Sequence, residues 1–470
     1  MWNLKKFRNK IALISEQNKK YSYDELLKFS DYIKKKLKKR SLVLFLNDNS
    51  IASIFFYVGL IQNKHLILLL NSKNKLSYID KIIKSYDPDY ICSPKGESLK
   101  KSNKKIELVA NFEKYNLERR LDSKKKLIKS NLCLLVSTSG TTGSPKFVKQ
   151  TFKNIKFNSR SIVKYLGLNT TSTGISSLPI NYTFGNSIIN THLFVGAKNV
   201  ITNKSILEKN FWKIFVKNKV SIIYGVPFTY EIICKLKIFR KNFKHLKIIA
   251  QAGGKLSEKI QIILSKYSKR FKKKFFIMYG QAEATTRISY LPSNLSGKKL
   301  NSIGKAISGG KIELVDKRNQ IIDQPNQEGE IVYKGKNVCM GYSFSKEDLN
   351  KKDYWNGSIR TGDIAIKDKE GFFYLVGRKK RSIKIFGVST NLDEIENILK
   401  NEFKNSEFAV IGFENRIKIY FNNLKKKNKM IKFLLKNTEL NESVITLIHI
   451  NKIPKLMNGK IDYGNLLNNN

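Results

Sequence analysis

Apolar runs of strand length alternate with segments of helical period from the N-terminus to about Ser289. Ser22 to Lys38 places Leu26, Leu27, Phe29, Ile33 and Leu37 at helical spacing, and Leu42 to Leu46 reads as a strand. Ile51 to Ile61 predicts a helix, Leu66 to Leu70 a strand, Tyr78 to Tyr86 a helix and Tyr90 to Cys92 a strand. Ile51 to Leu70 is the longest apolar stretch, but Gln62, Asn63, Lys64 and His65 cut it. A membrane span needs about 20 mostly apolar residues, so the stretch reads as buried helix, turn and buried strand, and no transmembrane segment is expected. A β-then-α rhythm of this kind predicts parallel sheets covered by helices.

The rhythm then changes. Short strands with Gly and Asn punctuation follow Ile303: Lys311 to Val315, Gly329 to Lys334 and Gly371 to Val376. A charged run at Arg378 to Arg381 interrupts them. Beyond it come Ile383 to Phe386, a helix over Leu392 to Phe403, strands at Phe408 to Phe413 and Ile417 to Phe421, and a helix near Lys429 to Leu435. The expected fold is α/β: a large N-terminal domain with parallel α/β sheets plus a β-rich subdomain, and a small mobile α+β C-terminal domain. The domains are expected at 1–379 and 380–470, hinged at Lys380.

Composition narrows the class. At 470 residues, 41% of them hydrophobic, the chain can bury sizeable cores in two or three units. The net charge is +52, from 89 Lys plus Arg against 37 Asp plus Glu. Such an excess admits a nucleic-acid- or membrane-binding protein. That reading requires basic residues clustered with aromatics on one element. The runs Lys34 to Arg40, Lys124 to Lys126, Lys272 to Lys274 and Lys425 to Lys427 are instead scattered, as solvated faces are, and no nucleic acid is expected as a partner. Cys92, Cys133, Cys234 and Cys339 lie far apart without a CxxC pair, which predicts reduced thiols and a cytoplasmic protein. The N-terminus lacks an apolar signal core.

The chemistry is announced by one loop. The strand Leu132 to Ser137 runs into Thr138-Ser-Gly-Thr-Thr-Gly-Ser-Pro-Lys146, and a helix starts near Thr151 with Phe152, Ile155, Ile162, Val163 and Leu166 on one face. Glycines let backbone N–H groups close on an anion, and hydroxyls and lysine add donors and charge. The loop suits a triphosphate. It is not a Walker loop, since Gly-x4-Gly-Lys-Ser/Thr is absent. Alone, it is equally an ordinary Ser/Thr/Gly turn.

The segment Ser137 to Lys146 resembles the signature loop of the acyl-adenylate-forming superfamily, which includes acyl-CoA synthetases, peptide-synthetase adenylation domains and firefly luciferase. Further motifs of that family follow in order. Tyr279-Gly-Gln-Ala-Glu283 resembles its Tyr-Gly-x-Thr-Glu. Gly329-Glu330, Gly335 and Gly341-Tyr342 resemble its β-subdomain motif, and Thr361-Gly-Asp363 its Thr-Gly-Asp. Gly377-Arg378, Ile383-Lys384, Gly387 and Glu394-Ile-Glu396 resemble its hinge and small-domain motif. Pro454 to Lys460 resembles its C-terminal motif.

The resemblance implies ATP, Mg²⁺ and a thiol acceptor, either CoA or the phosphopantetheine of a carrier. It implies that Thr138, Ser139, Gly140, Thr141, Thr142, Gly143 and Lys146 hold the phosphates. Tyr279 would stack on adenine, Asp363 and Arg378 would bind the ribose, Glu283 would hold the magnesium, and Lys460 would act in adenylation. Two departures stand out. Ala282 replaces the usual Thr near the α-phosphate, a lost donor that either weakens adenylation or shifts that contact to Thr285, Thr286 or the loop. Ser389 replaces an Arg that many members carry in the small domain.

Ser176 to Gly185 resembles the segment lining the acyl pocket, with Tyr182 where acyl-CoA synthetases usually have His; a buried core aromatic is the equal alternative. Ala252-Gly253-Gly254 resembles the strand and turn flanking adenine and the acyl group. Ser176 to Asn190 contains no Asp or Glu to pair with a substrate ammonium, which favours a fatty or other simple carboxylic acid over an amino acid. With ten residues after Lys460, no fused carrier domain is expected, so the acceptor is CoA or a separate acyl carrier protein. An amino-acid–carrier ligase and a catalytically degenerate binding protein remain as alternatives.

Overall fold

A helix needs its first N–H groups satisfied and one face buried, and the first helix, Tyr23–Lys36, meets both demands from local sequence. Ser22 Oγ accepts from the Glu25 amide at 3.1 Å, and Glu25 accepts from the Ser22 amide at 2.6 Å, a capping box. Such a cap stabilises by about 1 kcal/mol. Leu26, Phe29 and Ile33 face the core, and the lysines close the C-terminal end. The next helix, Ile51–Gln62, is buried on every side from Ile51 to Ile61, and the chain returns as the strand Leu66–Asn71. Among the described residues no helix is long and apolar enough to cross a membrane.

The computed structural model describes residues 1–96, 106–124, 126–137, 146–316, 318–378, 382–386, 388–403, 406–413, 415–423, 427–454, 461 and 463–468. They divide into two compact units, the boundary falling between Gly377 and Arg378.

In the larger unit, the strands Leu42–Asn47, Leu66–Asn71, Tyr90–Pro94 and Leu132–Ser137 pair in parallel. Antiparallel neighbours extend this sheet on both sides. One of them is a hairpin, Ile106–Phe112 with Tyr115–Arg120, which the hydrophobic pattern does not announce. A second sheet has thirteen strands among the described residues. Its parallel part contains Ile11–Ile14, Thr173–Ser176, Lys198–Ile201, Ile222–Gly225, Ile248–Gln251 and Lys274–Tyr279. From Lys274–Tyr279 onward the pairing turns antiparallel through Ser289–Leu291 and Ser302–Ala306. The expected β-rich subdomain therefore continues the same sheet, over its own apolar core of Ile312, Leu314, Ile331, Tyr333 and Ile359.

Thr361-Gly-Asp363 lies inside the ten-residue strand Ser358–Lys367, although its residue types favour a turn. Gly362 takes φ +75° there, a conformation that L side chains rarely adopt.

The smaller unit contains the helix Leu392–Glu402 and a three-stranded sheet. Phe408–Phe413 pairs antiparallel with Arg416–Phe421, and Ile445–His449, a strand the pattern had not announced, joins in parallel. Glu396 is buried and accepts from the Val410 amide and the Tyr463 hydroxyl, each at 2.8 Å. One carboxylate thus ties helix, sheet and C-terminal segment together. Glu396→Ala strips both donors of their acceptor and is expected to destabilise the unit by about 2–3 kcal/mol, while Tyr463→Phe costs about 1 kcal/mol. Urea unfolding followed by circular dichroism measures both; equal midpoints for Glu396→Ala and wild type would remove the anchor from the account.

Candidate active site

Parallel strands present their carboxyl ends along one edge, and ligands of α/β sheets bind outside that edge. Here Ile222–Gly225, Ile248–Gln251 and Lys274–Tyr279 lie side by side, with Gly225 opposite Gln251 and Gln251 opposite Ile277. The connections leaving that edge carry several of the described residues that the resemblance marks: Gly253 and Gly254 after one strand, and Glu283, within Gly280 to Arg287, after another.

The second connection is unusually tight. A Cβ on Gly280 would meet the Thr286 carbonyl oxygen at 2.0 Å, so only glycine allows the chain to fold back. Thr285 and Thr286 both take positive φ, +53° and +111°, which is costly for β-branched residues and marks a segment held by its surroundings. Asn337 does the holding. It is fully buried, and its Nδ2 donates to the Ala284 and Arg287 carbonyls, each at 2.8 Å. Its own carbonyl accepts from Thr285 Oγ1 at 2.6 Å, and its Oδ1 from the Tyr333 hydroxyl at 2.7 Å.

This geometry bears on the two threonines named beside Ala282. Thr286 Oγ1 donates to the Thr183 carbonyl at 3.1 Å, and Thr285 is committed to Asn337. Both threonines are buried, and both hydroxyls are already engaged with backbone carbonyls.

Two pairs of expected site residues are drawn together. The Tyr279 hydroxyl donates to Asp363 Oδ2, joining the tyrosine expected at adenine to the carboxylate expected at the ribose. Glu283 Oε1 accepts from the Tyr342 hydroxyl at 2.8 Å, and Lys146 Nζ lies 3.7 Å from the centre of the Tyr342 ring. Burial, then the Glu283 charge, push the Tyr342 phenol above its usual pKa, so it stays a donor to that carboxylate. Tyr342 stands beside Lys146 because Tyr342–Ser343 pairs with Phe147–Thr151, Tyr342 opposite Val148. Cys339, also in this layer, is fully buried, and burial pushes its thiol up to about 12.

Among the described residues no group of three or more His, Cys, Asp or Glu could hold a metal. Glu283 is a single carboxylate with one oxygen engaged by Tyr342. Such a donor set fits Mg²⁺, which keeps several waters and is bound by one or two carboxylates plus substrate phosphates.

Tyr182 is half-buried just before the helix Thr183–Val195, and joins an apolar cluster with Phe184, Tyr224 and Ala252. Gly253 takes φ +88°, and the Gly254 carbonyl accepts from Gln251 Nε2 at 2.9 Å. Thr138, Ser139, Gly140, Thr141, Thr142, Gly143, Lys380 and Lys460 lie outside the described residues, as does the side chain of Arg378 at the end of the strand Phe373–Arg378.

Sequence reasoning passed over Asn337, Tyr342 as a contact of Lys146, and Arg287. The Arg287 guanidinium is buried, stacks 4.4 Å from the Phe184 ring and donates to the Thr286 carbonyl at 3.2 Å. Only its place four residues after Glu283 hinted at the site.

A parallel sheet with a tyrosine–aspartate pair and a lone carboxylate at its carboxyl edge defines an α/β protein with a candidate ligand site there. Residues 1–343 match the family described as AMP-binding enzyme, and the chain belongs to it. The chain is 28% identical over 282 residues to a 2-succinylbenzoate–CoA ligase of Bacillus subtilis, covering 60% of this chain and 56% of that protein. It is 30% identical over 347 residues to luciferin 4-monooxygenase of Photuris pensylvanica, covering 70% of this chain and 59% of that protein. These matches span little more than half of either relative's length. Among solved structures, an o-succinylbenzoate CoA synthetase of Bacillus subtilis bound to its product analogue superposes with a TM-score of 0.80 at 20% identity, over 98% of this chain and 96% of that one. A peptide-synthetase protein containing adenylation and carrier domains gives 0.75 at 17% identity, over 99% and 82%. The fold is shared with both.

Asn337→Ala leaves the Ala284 carbonyl and the Tyr333 phenol without that partner, while the Arg287 carbonyl keeps the Asn158 side-chain amide at 3.1 Å, and is expected to cost about 2–3 kcal/mol. Thermal and urea unfolding measure it; a cost below about 1 kcal/mol would mean that the Gly280 to Arg287 turn is held by something else.

Proposed function

We propose that the protein uses ATP to activate a carboxylic acid as an acyl-adenylate and then passes the acyl group to a thiol. The observation that carries this reading is the convergence of Lys146, Tyr342 and Glu283, together with the Tyr279–Asp363 hydrogen bond, in a chain whose motifs run in the family's order. In the first step a substrate carboxylate oxygen attacks the α-phosphorus, the bond to the β-phosphate oxygen breaks, and pyrophosphate leaves. In the second, a thiolate attacks the acyl carbon, AMP leaves, and the thiol proton goes to solvent. Charge builds on phosphate oxygens throughout, so the protein's work is positioning and electrostatic stabilisation.

Residues 1–379 hold the nucleotide and acid in this reading, and residues 380–470 act as a lid, hinged at Lys380, that brings Lys460 to the reacting carboxylate. The phosphate loop Thr138 to Gly143 and Lys146 grips the triphosphate, Glu283 holds Mg²⁺, and Asp363 and Arg378 take the ribose. The ligase names of the similar proteins support CoA as the thiol, with a carrier-protein phosphopantetheine as the alternative. Four free cysteines agree with a reducing, cytoplasmic setting.

The acid is a fatty, aryl or other simple carboxylic acid and not an amino acid. Ser176 to Asn190 holds no carboxylate, and burial of the Arg287 cation close to Tyr182 makes the region hostile to a substrate ammonium.

Lys460→Ala is expected to lower acid-dependent ATP–pyrophosphate exchange by about a hundredfold or more. Glu283→Gln should raise the Mg²⁺ concentration needed for half-maximal exchange. Exchange that persists unchanged in Lys460→Ala rules out the adenylation step as written.

A further inference from the structure

A cation taken out of water is expensive unless an anion or a full set of hydrogen bonds replaces the solvent. Arg287 has neither among the described residues. Its guanidinium donates to the Thr286 carbonyl at 3.2 Å and shares a hydrogen bond with the Tyr165 side chain, but its Nε has no hydrogen-bond partner, and its strongest electrostatic neighbours are neutral phenols, those of Tyr165, Tyr182 and Tyr224. An arginine does not escape the cost by losing its proton.

The rings around it are ordered. Tyr165 stacks on Tyr290 at 4.1 Å, Tyr182 lies 6.3 Å from Phe184, and Phe184 lies 6.1 Å from Tyr224. The Tyr224 hydroxyl is itself buried without a partner. Tyr224 closes the strand Ile222–Gly225 just before its last residue, and Ala252, which leads into Gly253 and Gly254, belongs to the same cluster as Tyr182 and Tyr224. A cation without a counter-charge and with its Nε unpartnered, and a hydroxyl without a partner, therefore share the aromatic region where the acyl group is expected.

We propose that Arg287, assisted by the Tyr224 hydroxyl, is the counter-charge for a second anionic group at the far end of the substrate, which makes the substrate a dicarboxylic acid. This deepens the acid-activation reading and rests on it. The reacting carboxylate goes to the nucleotide, and the distal carboxylate enters the aromatic cluster and pairs with the guanidinium. A methyl terminus in the same place would leave the cation unpaired, which supplies the selectivity. Arg287 is thus a specificity-determining residue, remote from the reacting atoms.

The test uses the full-length protein and matched pairs of acids. Butanedioic to decanedioic acids are compared with monocarboxylic acids of equal length, together with aryl acids with and without a second carboxylate. ATP–pyrophosphate exchange gives kcat and KM, and calorimetry gives binding of each acid without turnover. Wild type is expected to favour the best diacid over its monoacid counterpart by about a hundredfold or more in kcat/KM. Arg287→Met should erase that preference through KM while monoacid turnover persists, Arg287→Lys should restore part of it, and Tyr224→Phe should weaken it.

Equal or better activity with monoacids overturns the proposal and leaves acid activation standing. So does an Arg287→Met variant that loses both substrates in equal proportion, which marks a structural residue. Exchange with no acid at all defeats the activation reading. In that case calorimetry still decides on Arg287: diacid binding that Arg287→Met abolishes supports the proposal, and no diacid binding overturns it.

Discussion

The site depends on one constraint: the strand Lys274–Tyr279 must end, reverse and rejoin its sheet within about ten residues. On one side it pairs in parallel with Ile248–Gln251, and on the other antiparallel with Ser289–Leu291. The reversal is possible because Gly280 has no Cβ and Asn337 absorbs the polar groups that the turn exposes. Glu283 and Arg287 both ride on this turn. Under the proposed roles, the carboxylate of Glu283 and the cation of Arg287 are thereby fixed relative to each other by one short piece of backbone.

Much of this was legible in the sequence because it rests on local signals. Helical and strand periodicity marked Tyr23–Lys36, Ile51–Gln62, Leu66–Asn71 and Phe408–Phe413 with small boundary shifts. The hairpin of Ile106–Phe112 and Tyr115–Arg120 was not legible. It is an edge element whose first strand is largely exposed and carries little hydrophobic contrast. The strand Ser358–Lys367 was hidden by its own Thr-Gly-Asp, which mimics a turn. Ile445–His449 is only partly buried, so its pattern is faint.

The candidate site divides in the same way. Tyr279, Glu283 and Asp363 could be named from short motifs. The hydrogen bond between Tyr279 and Asp363 could not, because it is made by strands far apart in sequence. Tyr342 reaches Lys146 only through the pairing of two short strands, and Asn337 reaches the Gly280 turn only in the folded chain. Arg287 was lost among 89 basic residues, most of which have solvent to balance their charge. Burial distinguishes it, and burial is a property of the fold.

The state of Cys339 has a consequence of its own. An enzyme that makes a mixed anhydride holds a potent acylating agent against its own walls, and any ready thiolate nearby would be consumed. Cys339 accepts no solvent, its Sγ lies 3.3 Å from Thr285 Oγ1, and burial holds its thiol up to about 12. A thiol kept protonated is a poor nucleophile. Under the proposed chemistry, the packing that supports the active-site turn also guards the protein against acylating itself, leaving the incoming thiol without a competitor at that position.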